Sequence, residues 1–247
     1  MMNVIAGSTN FLLAEGDVDF MVHGLIKYNL FGQELWITTT HVSVLLVTIS
    51  LMIFAVLVNR KIKKANIEDT PGTLQNIAEL AVEMLDNMVN TIMGKKAIKY
   101  VNYIGTIFAF ILFSNVSGLL GLRPPTADYG VTLPLALITF VMIQYINIKE
   151  NKLGALTSLF QPIPLFFPIN LIGEIATPIS LSLRLFGNIL SGTVMMALIY
   201  GLLPIFVKIG IPAALHIYFD LFSGAIQTYV FCMLTMVFVT DKMATEE

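Results

Sequence analysis

From His41 to Val58 the chain carries no charged side chain, and further long apolar runs follow it toward the C-terminus. An apolar run of about 20 residues, wound as a helix, matches the roughly 30 Å hydrocarbon thickness of a bilayer. Backbone N–H and C=O groups in hydrocarbon must find their partners inside the protein, so runs of this kind fold as helices. The chain therefore reads as an all-α integral membrane protein. Its composition agrees, with 56% of the 247 residues hydrophobic and 12% charged and a mean hydropathy of +0.81, where soluble domains carry about 25% charged residues. A net charge of −2 without a basic patch argues against nucleic acid as a partner. The single cysteine, Cys232, excludes an internal disulfide and a cysteine-based metal site, and its apolar surroundings make it a small core residue.

Residues 1–40 form a mixed N-terminal segment, expected outside or at the surface of the membrane. The first 37 do not read as a cleaved signal peptide, because a basic start is missing and Glu15, Asp17 and Asp19 follow only a short apolar patch. The membrane domain is expected to span 41–247. Within it, spans are predicted at 41–59, 100–122 and 131–148, and two longer apolar helices at 168–200 and 212–240. Between the first two spans, residues 71–93 change period. Leu74, Ile77, Ala81, Met84, Leu85, Met88 and Ile92 share one helical face, opposite Gln75, Glu79, Glu83, Asp86 and Asn90. That pattern predicts an amphipathic helix on the membrane surface or against a partner, with Thr70-Pro71 as its start; an ordinary surface helix of an extramembrane loop is the alternative. Arg123 to Asp128 reads as a turn. Pro162, Pro164 and Pro168 forbid a continuous helix ahead of the fourth span, and Gly201, Pro204, Gly210 and Pro212 separate the last two. About 33 residues make a helix roughly 50 Å long, too long for the bilayer core unless it tilts, kinks or protrudes. Both stretches stay apolar and one contains Pro178, so a strongly tilted hairpin is expected. About five membrane-embedded helices and one surface helix result.

Basic residues set the orientation. The loop from Arg60 to Lys99 holds Arg60, Lys61, Lys63, Lys64, Lys95, Lys96 and Lys99, and Lys149, Lys152 and Lys242 fall on the same side. Arg123 and Lys208 fall opposite, giving seven plus three against two. The N-terminus is expected outside and the C-terminus in the cytoplasm. No internal repeat, direct or inverted, is evident.

Arg184 is the residue that most demands explanation, since it sits inside a membrane segment within Leu181-Ser182-Leu183-Arg184-Leu185-Phe186-Gly187-Asn188. An arginine at mid-bilayer costs at least about 2.5–3.5 kcal/mol on insertion scales and is found facing a cavity or a partner. It cannot escape the cost by deprotonating. Glu174, ten residues earlier, lies about 15 Å away and about 80° round the helix, so the two cannot pair directly. Asp220 in the next helix could reach Arg184, which leaves two readings: an Arg184–Asp220 bridge holding the hairpin together, or an arginine facing a carboxylate of another subunit. Thr177, Ser180, Arg184, Asn188 and Ser191 line one face of their helix, and His216, Asp220, Ser223 and Gln227 line one face of the next. Such stripes in lipid face protein or water. They read either as the wall of an ion pathway or as interhelical hydrogen bonds, the latter the plainer account of the serines and threonines. His216 is either a titrating relay or an interfacial residue near Pro212. Glu174 is either part of the pathway or an acid favoured by a helix start. No glycine-rich phosphate loop and no histidine pair at metal spacing occurs, so no cofactor, no metal and no nucleotide-hydrolysing site is expected.

The run from Pro168 to Ser191, PINLIGEIATPISLSLRLFGNILS, resembles the signature of F-type ATP synthase subunit a, and Arg-Leu-Phe-Gly-Asn is its most specific part. The resemblance extends back through Asn115, Pro124 to Asp128 and Val131-Thr132-Leu133, and forward through Ile226-Gln227. It implies a stator subunit that passes protons or sodium ions through two offset half-channels to a carboxylate on a rotating c-subunit ring, coupling ion flow to ATP synthesis in a distant catalytic head. Arg184 matches the arginine facing that carboxylate, and Gln227 the glutamine packed near it. Asp220 and Asn188 match positions near the outer half-channel, and Glu174 resembles an acid of the inner access path. Thr193 stands where many relatives carry an acid, which shifts the outer channel toward Asp220 and His216. Implied partners are the c ring, the b-subunit peripheral stalk and, indirectly, the catalytic head, in a bilayer that is by default a bacterial plasma membrane. The rival is a self-contained secondary transporter with Arg184 as an anion site, although such folds carry repeats and interrupted helices in both halves.

Overall fold

The computed structural model describes residues 24–30, 33–64, 72–94, 99–120, 122–152, 154–160, 163–202 and 211–243. An antiparallel hairpin, β1 (Gly24–Leu30) and β2 (Gln33–Thr38), precedes the helices. It runs directly into α1 (Thr39–Lys64), and Thr38 Oγ1 and His41 Nδ1 lie 2.6 Å apart across the junction. α1 continues through Arg60 and Lys61 instead of ending before them; with their heads in water, the basic residues extend the helix past the hydrocarbon.

α2 (Thr73–Met93) follows, with Gly72 at its N-cap; Thr70 and Pro71, the expected start, lie outside the described residues. Its inward edge is Ala78, Val89 and Met93, whereas Ile77 and Met84, at the centre of the predicted apolar face, are exposed. The apolar face is thus wider than the contact it makes. One edge packs on the bundle and the other is left outward beside the polar face, as expected of a helix lying at a membrane surface.

α3 (Val101–Val116) tightens into a 3₁₀ turn at Ser117–Leu120. The Pro125–Ala127 turn leads to α4 (Tyr129–Asn151), which Asp128 caps by accepting from the Gly130 N–H at 2.8 Å. A one-turn α5 (Gly154–Thr157) and two 3₁₀ turns occupy the proline-rich stretch. α6 (Phe167–Leu202) then runs for 36 residues with Pro178 inside it. The last segment opens as α7 (Ile211–His216), widens into a π-helix at Ile217–Ser223 and closes as α8 (Gly224–Lys242). Among the described residues five helices are long and apolar enough to cross a membrane. At 1.5 Å per residue α6 is about 54 Å long, well beyond the roughly 30 Å hydrocarbon core, so it cannot stand upright within it.

α8 is the centre of the bundle and packs against α2, α3, α4 and α6. Phe231, Cys232, Met236 and Val239 on α8 meet Val89 and Met93 on α2, Ile104 and Ile111 on α3, Ile143 and Ile146 on α4, and Leu181 and Leu185 on α6. α1 is peripheral, presenting Leu45, Leu46, Ile49 and Met52 outward. In lipid no hydrophobic force draws helices together, so close approach and hydrogen bonds must. Both occur at Asn115. Its amide donates to the Gly224 carbonyl at 2.9 Å, and its Oδ1 accepts from Thr126 Oγ1 at 2.6 Å. Asn115 and Thr126 are fully buried, so the turn read at Arg123 to Asp128 is folded into the core through Thr126 by this network.

Gly224 is where the approach is tightest: a Cβ there would stand 2.8 Å from Asn115 Cβ. Overpacking of this kind typically costs about 1–3 kcal/mol. Gly224→Ala should therefore lower the thermal-dissociation midpoint of the membrane complex, read by native gel after a heating series. An unchanged midpoint would show that the two helices can part without cost.

Candidate functional site

The site is built on α6, the π-helix and α8, with α4 closing one side. Arg184 stands at the midpoint of α6, since 184 − 167 leaves 17 residues before it and 202 − 184 leaves 18 after it. One face of the helix is packed inward through Leu181, Ser182 and Leu185, with relative exposures of 2%, 0% and 0%. A helix turns 100° per residue, so Ser180, Arg184 and Ser191 fall away from that face, and all three are exposed. Among the described residues no acid forms an ion pair with Arg184.

The Arg184–Asp220 bridge is not made. Asp220 pairs instead with His216 of its own segment, Oδ2 to Nδ1 at 2.8 Å. The π-helix is the reason the pair sits where it does. Its wider turn offsets the backbone ahead of α8, and the carboxylate rests against Gly118, where a Cβ would meet Asp220 Cγ at 3.2 Å. A side chain at position 118 would crowd the acid, which would have to give by a few tenths of an ångström. Ser223, the last residue of the π-helix, donates to Asn188 Oδ1 at 3.1 Å and ties this segment to α6 one turn beyond Arg184.

On the other side of Arg184, Glu174 is held by two donors from different helices. Gln144 Nε2 on α4 donates to its Oε2 at 2.6 Å, and the Lys242 ammonium at the end of α8 pairs with its Oε1. A cavity of about 570 Å³ opens there, lined by Asn170, Glu174 and Thr177 of α6 and by Asp241 and Lys242 of α8. A second, of about 180 Å³, lies across Glu174 against Gln144 and Asn147. Glu174 thus lines both spaces.

The sequence placed His216 and Asp220 on one stripe, and Ser223 and Asn188 on the stripes of two successive helices, and the structure brings each pair together. Gln227 is buried at 8% exposure, with its Nε2 unbonded. Ser180 is exposed and Thr177 bonds back to the Gly173 carbonyl. Sequence reasoning missed Gln144 and Lys242. Gln144 is an amide inside an apolar span, a recognisable signal; Lys242 reads only as a basic helix end. Among the described residues no cluster of three or more His, Cys, Asp or Glu could hold a metal.

A family profile described as ATP synthase A chain matches residues 40–240. The chain belongs to the ATP synthase subunit a family. It is 38% identical over 213 residues to "ATP synthase subunit a, sodium ion specific" of Propionigenium modestum, covering 79% of this chain and 72% of that protein. It is 34% identical to "ATP synthase subunit a 1" of Syntrophotalea carbinolica, over 73% of this chain and 77% of that one. It is 32% identical to "ATP synthase subunit a" of Moorella thermoacetica, over 69% and 77%. Membership of this family makes the chain a multi-pass, non-catalytic membrane subunit on the stator side of an F-type ATP synthase, and sets the self-contained transporter aside.

The unbonded Nε2 of Gln227 makes a test possible. Replacing a buried polar group that has no hydrogen bond with an apolar group of similar size is nearly neutral or stabilising. Gln227→Leu should leave assembly and the thermal midpoint of the complex unchanged within error, so that any effect on ion movement reports function. A large fall in that midpoint would show that the amide is bonded in the assembled enzyme.

Proposed function

We propose that this subunit a forms two half-channels, offset around the rotor, that carry a monovalent cation to and from a carboxylate on the c-subunit ring, with Arg184 standing between them. The observation that carries the proposal is the position of Arg184: mid-helix, outward-facing and unpaired with any acid among the described residues. A permanent charge within an apolar helix needs a counter-charge, which a carboxylate of a neighbouring subunit would supply.

The roles follow from charge and depth. Arg184 favours the ionised form of the rotor carboxylate and so lowers its hold on the cation as each c subunit passes. The same fixed charge repels a cation attempting to leak straight from one half-channel to the other. His216, Asp220, Ser223 and Asn188 line the outer half-channel, and Glu174 the inner one, with the N-terminus outside and the C-terminus in the cytoplasm of a bacterial plasma membrane. Ser180, on the rotor-facing side of α6, and Gln227 complete the surroundings of the arginine. Moving one charge through 100 mV supplies about 2.3 kcal/mol, which the ring converts to rotation and the catalytic head to ATP, while the b-subunit stalk holds this subunit still. Protons and sodium ions both suit the chemistry. A 38%-identical relative named as sodium ion specific keeps sodium in view, and the choice rests with the rotor carboxylate and its ligands.

Arg184→Ala should reduce ATP-driven ion uptake into reconstituted vesicles to background while ATP hydrolysis by the detached catalytic head continues. Undiminished coupled uptake by an assembled Arg184→Ala enzyme would overturn the proposal.

A further inference from the structure

Lys242 is a basic helix end in the sequence, yet in the fold its ammonium sits on the Glu174 carboxylate at the wall of the larger cavity. We infer that Lys242 is a tethered competitor for the transported cation: its ammonium occupies the place at Glu174 that an exiting ion would take, and keeps the inner vestibule from holding that ion tightly. This rests on the ion-translocating reading above and adds a positioning residue to it.

Four observations support the assignment. The ion pair joins two helices of the site, since Glu174 is two turns into α6 and Lys242 is the final residue of α8. Both side chains are about one quarter exposed, at 26% for Lys242 and 24% for Glu174, so the pair borders open space and is not sealed in the core. The lysine backbone is fixed independently of its charge: its carbonyl accepts from Asn151 Nδ2 at 2.9 Å, and Asn151 also donates to Asn147 Oδ1 at 2.9 Å. Finally, the second oxygen of Glu174 is taken by a neutral donor, Gln144 Nε2. One carboxylate oxygen is thus held by an uncharged amide and the other by a cation on a four-carbon arm, which can swing away within a cavity of about 570 Å³.

The other charged group at this cavity is Asp241, exposed at its rim. α4 contributes only uncharged side chains to the two cavities, Phe140, Ile143, Gln144 and Asn147. Without Lys242, Glu174 and Asp241 would leave the vestibule with two negative charges and no positive one. A cation would then linger there, since an opposite charge nearby favours the bound, charged state. With Lys242 present the ion meets a carboxylate already satisfied, and passes.

The test uses the whole enzyme in vesicles, with ATP-driven pumping measured as the cation on the catalytic-head side is varied. One arm titrates sodium at fixed pH, and the other titrates protons in sodium-free buffer; the arm that drives the native enzyme is the one read. Lys242→Gln keeps a hydrogen-bond donor for Glu174 and removes the charge. It should lower the half-saturating cation concentration about three- to fivefold, the size of effect expected from one partly exposed ion pair, with the maximal pumping rate retained. Lys242→Arg should restore the native value. In a Glu174→Gln background, Lys242→Gln should have no further effect. An unchanged half-saturation in an assembled Lys242→Gln enzyme overturns the inference. So does failure of both Lys242→Gln and Lys242→Ala to assemble while Lys242→Arg assembles, because the pair is then a structural clamp. In either case Arg184→Ala still decides the translocation reading separately.

Discussion

A guanidinium held halfway along a 36-residue apolar helix must be answered by a negative charge, and the rest of the structure is arranged around where that answer comes from. Arginine keeps its charge at any accessible pH, so the protein cannot neutralise it and must place it. α6 does so by splitting its circumference. Leu181, Ser182 and Leu185 are pressed into the bundle, and Arg184 is carried on the side that the bundle does not cover. The acids of this chain nearest in sequence or in the hairpin are occupied elsewhere. Asp220 is bound to His216, and Glu174 to Gln144 and Lys242. Each of those pairs settles a local charge within its own region, and together they leave the arginine available to a partner.

The scaffold gives these pairs fixed positions in the bundle. α8 runs through the middle of the bundle, and its entry is the π-helix that carries Asp220. Asn115, bonded to Gly224 and Thr126, locks the junction between the π-helix and α8 to α3 and to the buried turn at Pro124–Ala127. Gly118, in the turn following α3, supplies the gap into which Asp220 fits. Asp220 is therefore placed by the buried Asn115 bonds to Gly224 and Thr126 and by its own fit against Gly118. At the opposite end, the α4 amide and the α8 ammonium converge on Glu174. The two ends of the site are thus built differently: a rigid one at Asp220, and one at Glu174 whose cationic partner is a flexible chain.

Much of this was legible in the sequence. Apolar run length fixed the number of spans, and proline and glycine positions fixed where the last two helices separate. The lone intramembrane arginine marked the site. What was not legible depends on backbone geometry or on residues distant in sequence. The π-helix leaves no trace in the periodicity of Ile217 to Ser223, because one extra residue per turn over seven residues is within the scatter of a polar stripe. The Arg184–Asp220 alternative was plausible from spacing alone, and only the His216–Asp220 geometry removes it. Lys242 was counted for orientation, since nothing local connects it to an acid 68 positions earlier. The N-terminal hairpin was likewise unread, and the turn at Pro124–Ala127 is buried because Thr126 finds Asn115, a pairing that turn chemistry does not predict.

The central claim is that the face of α6 carrying Arg184 meets the rotor. Cysteine cross-linking in the assembled enzyme tests it directly. Ser180 is exposed one turn before Arg184, and a side chain at Gly187, one turn after it, would meet nothing within 4 Å. Ser182 is fully buried and nearly isosteric with cysteine. With a cysteine beside the c-subunit carboxylate, Ser180→Cys and Gly187→Cys should form disulfides with the ring, and Ser182→Cys should not. Cross-linking at position 182, or at neither 180 nor 187 in an assembled complex, would contradict the account.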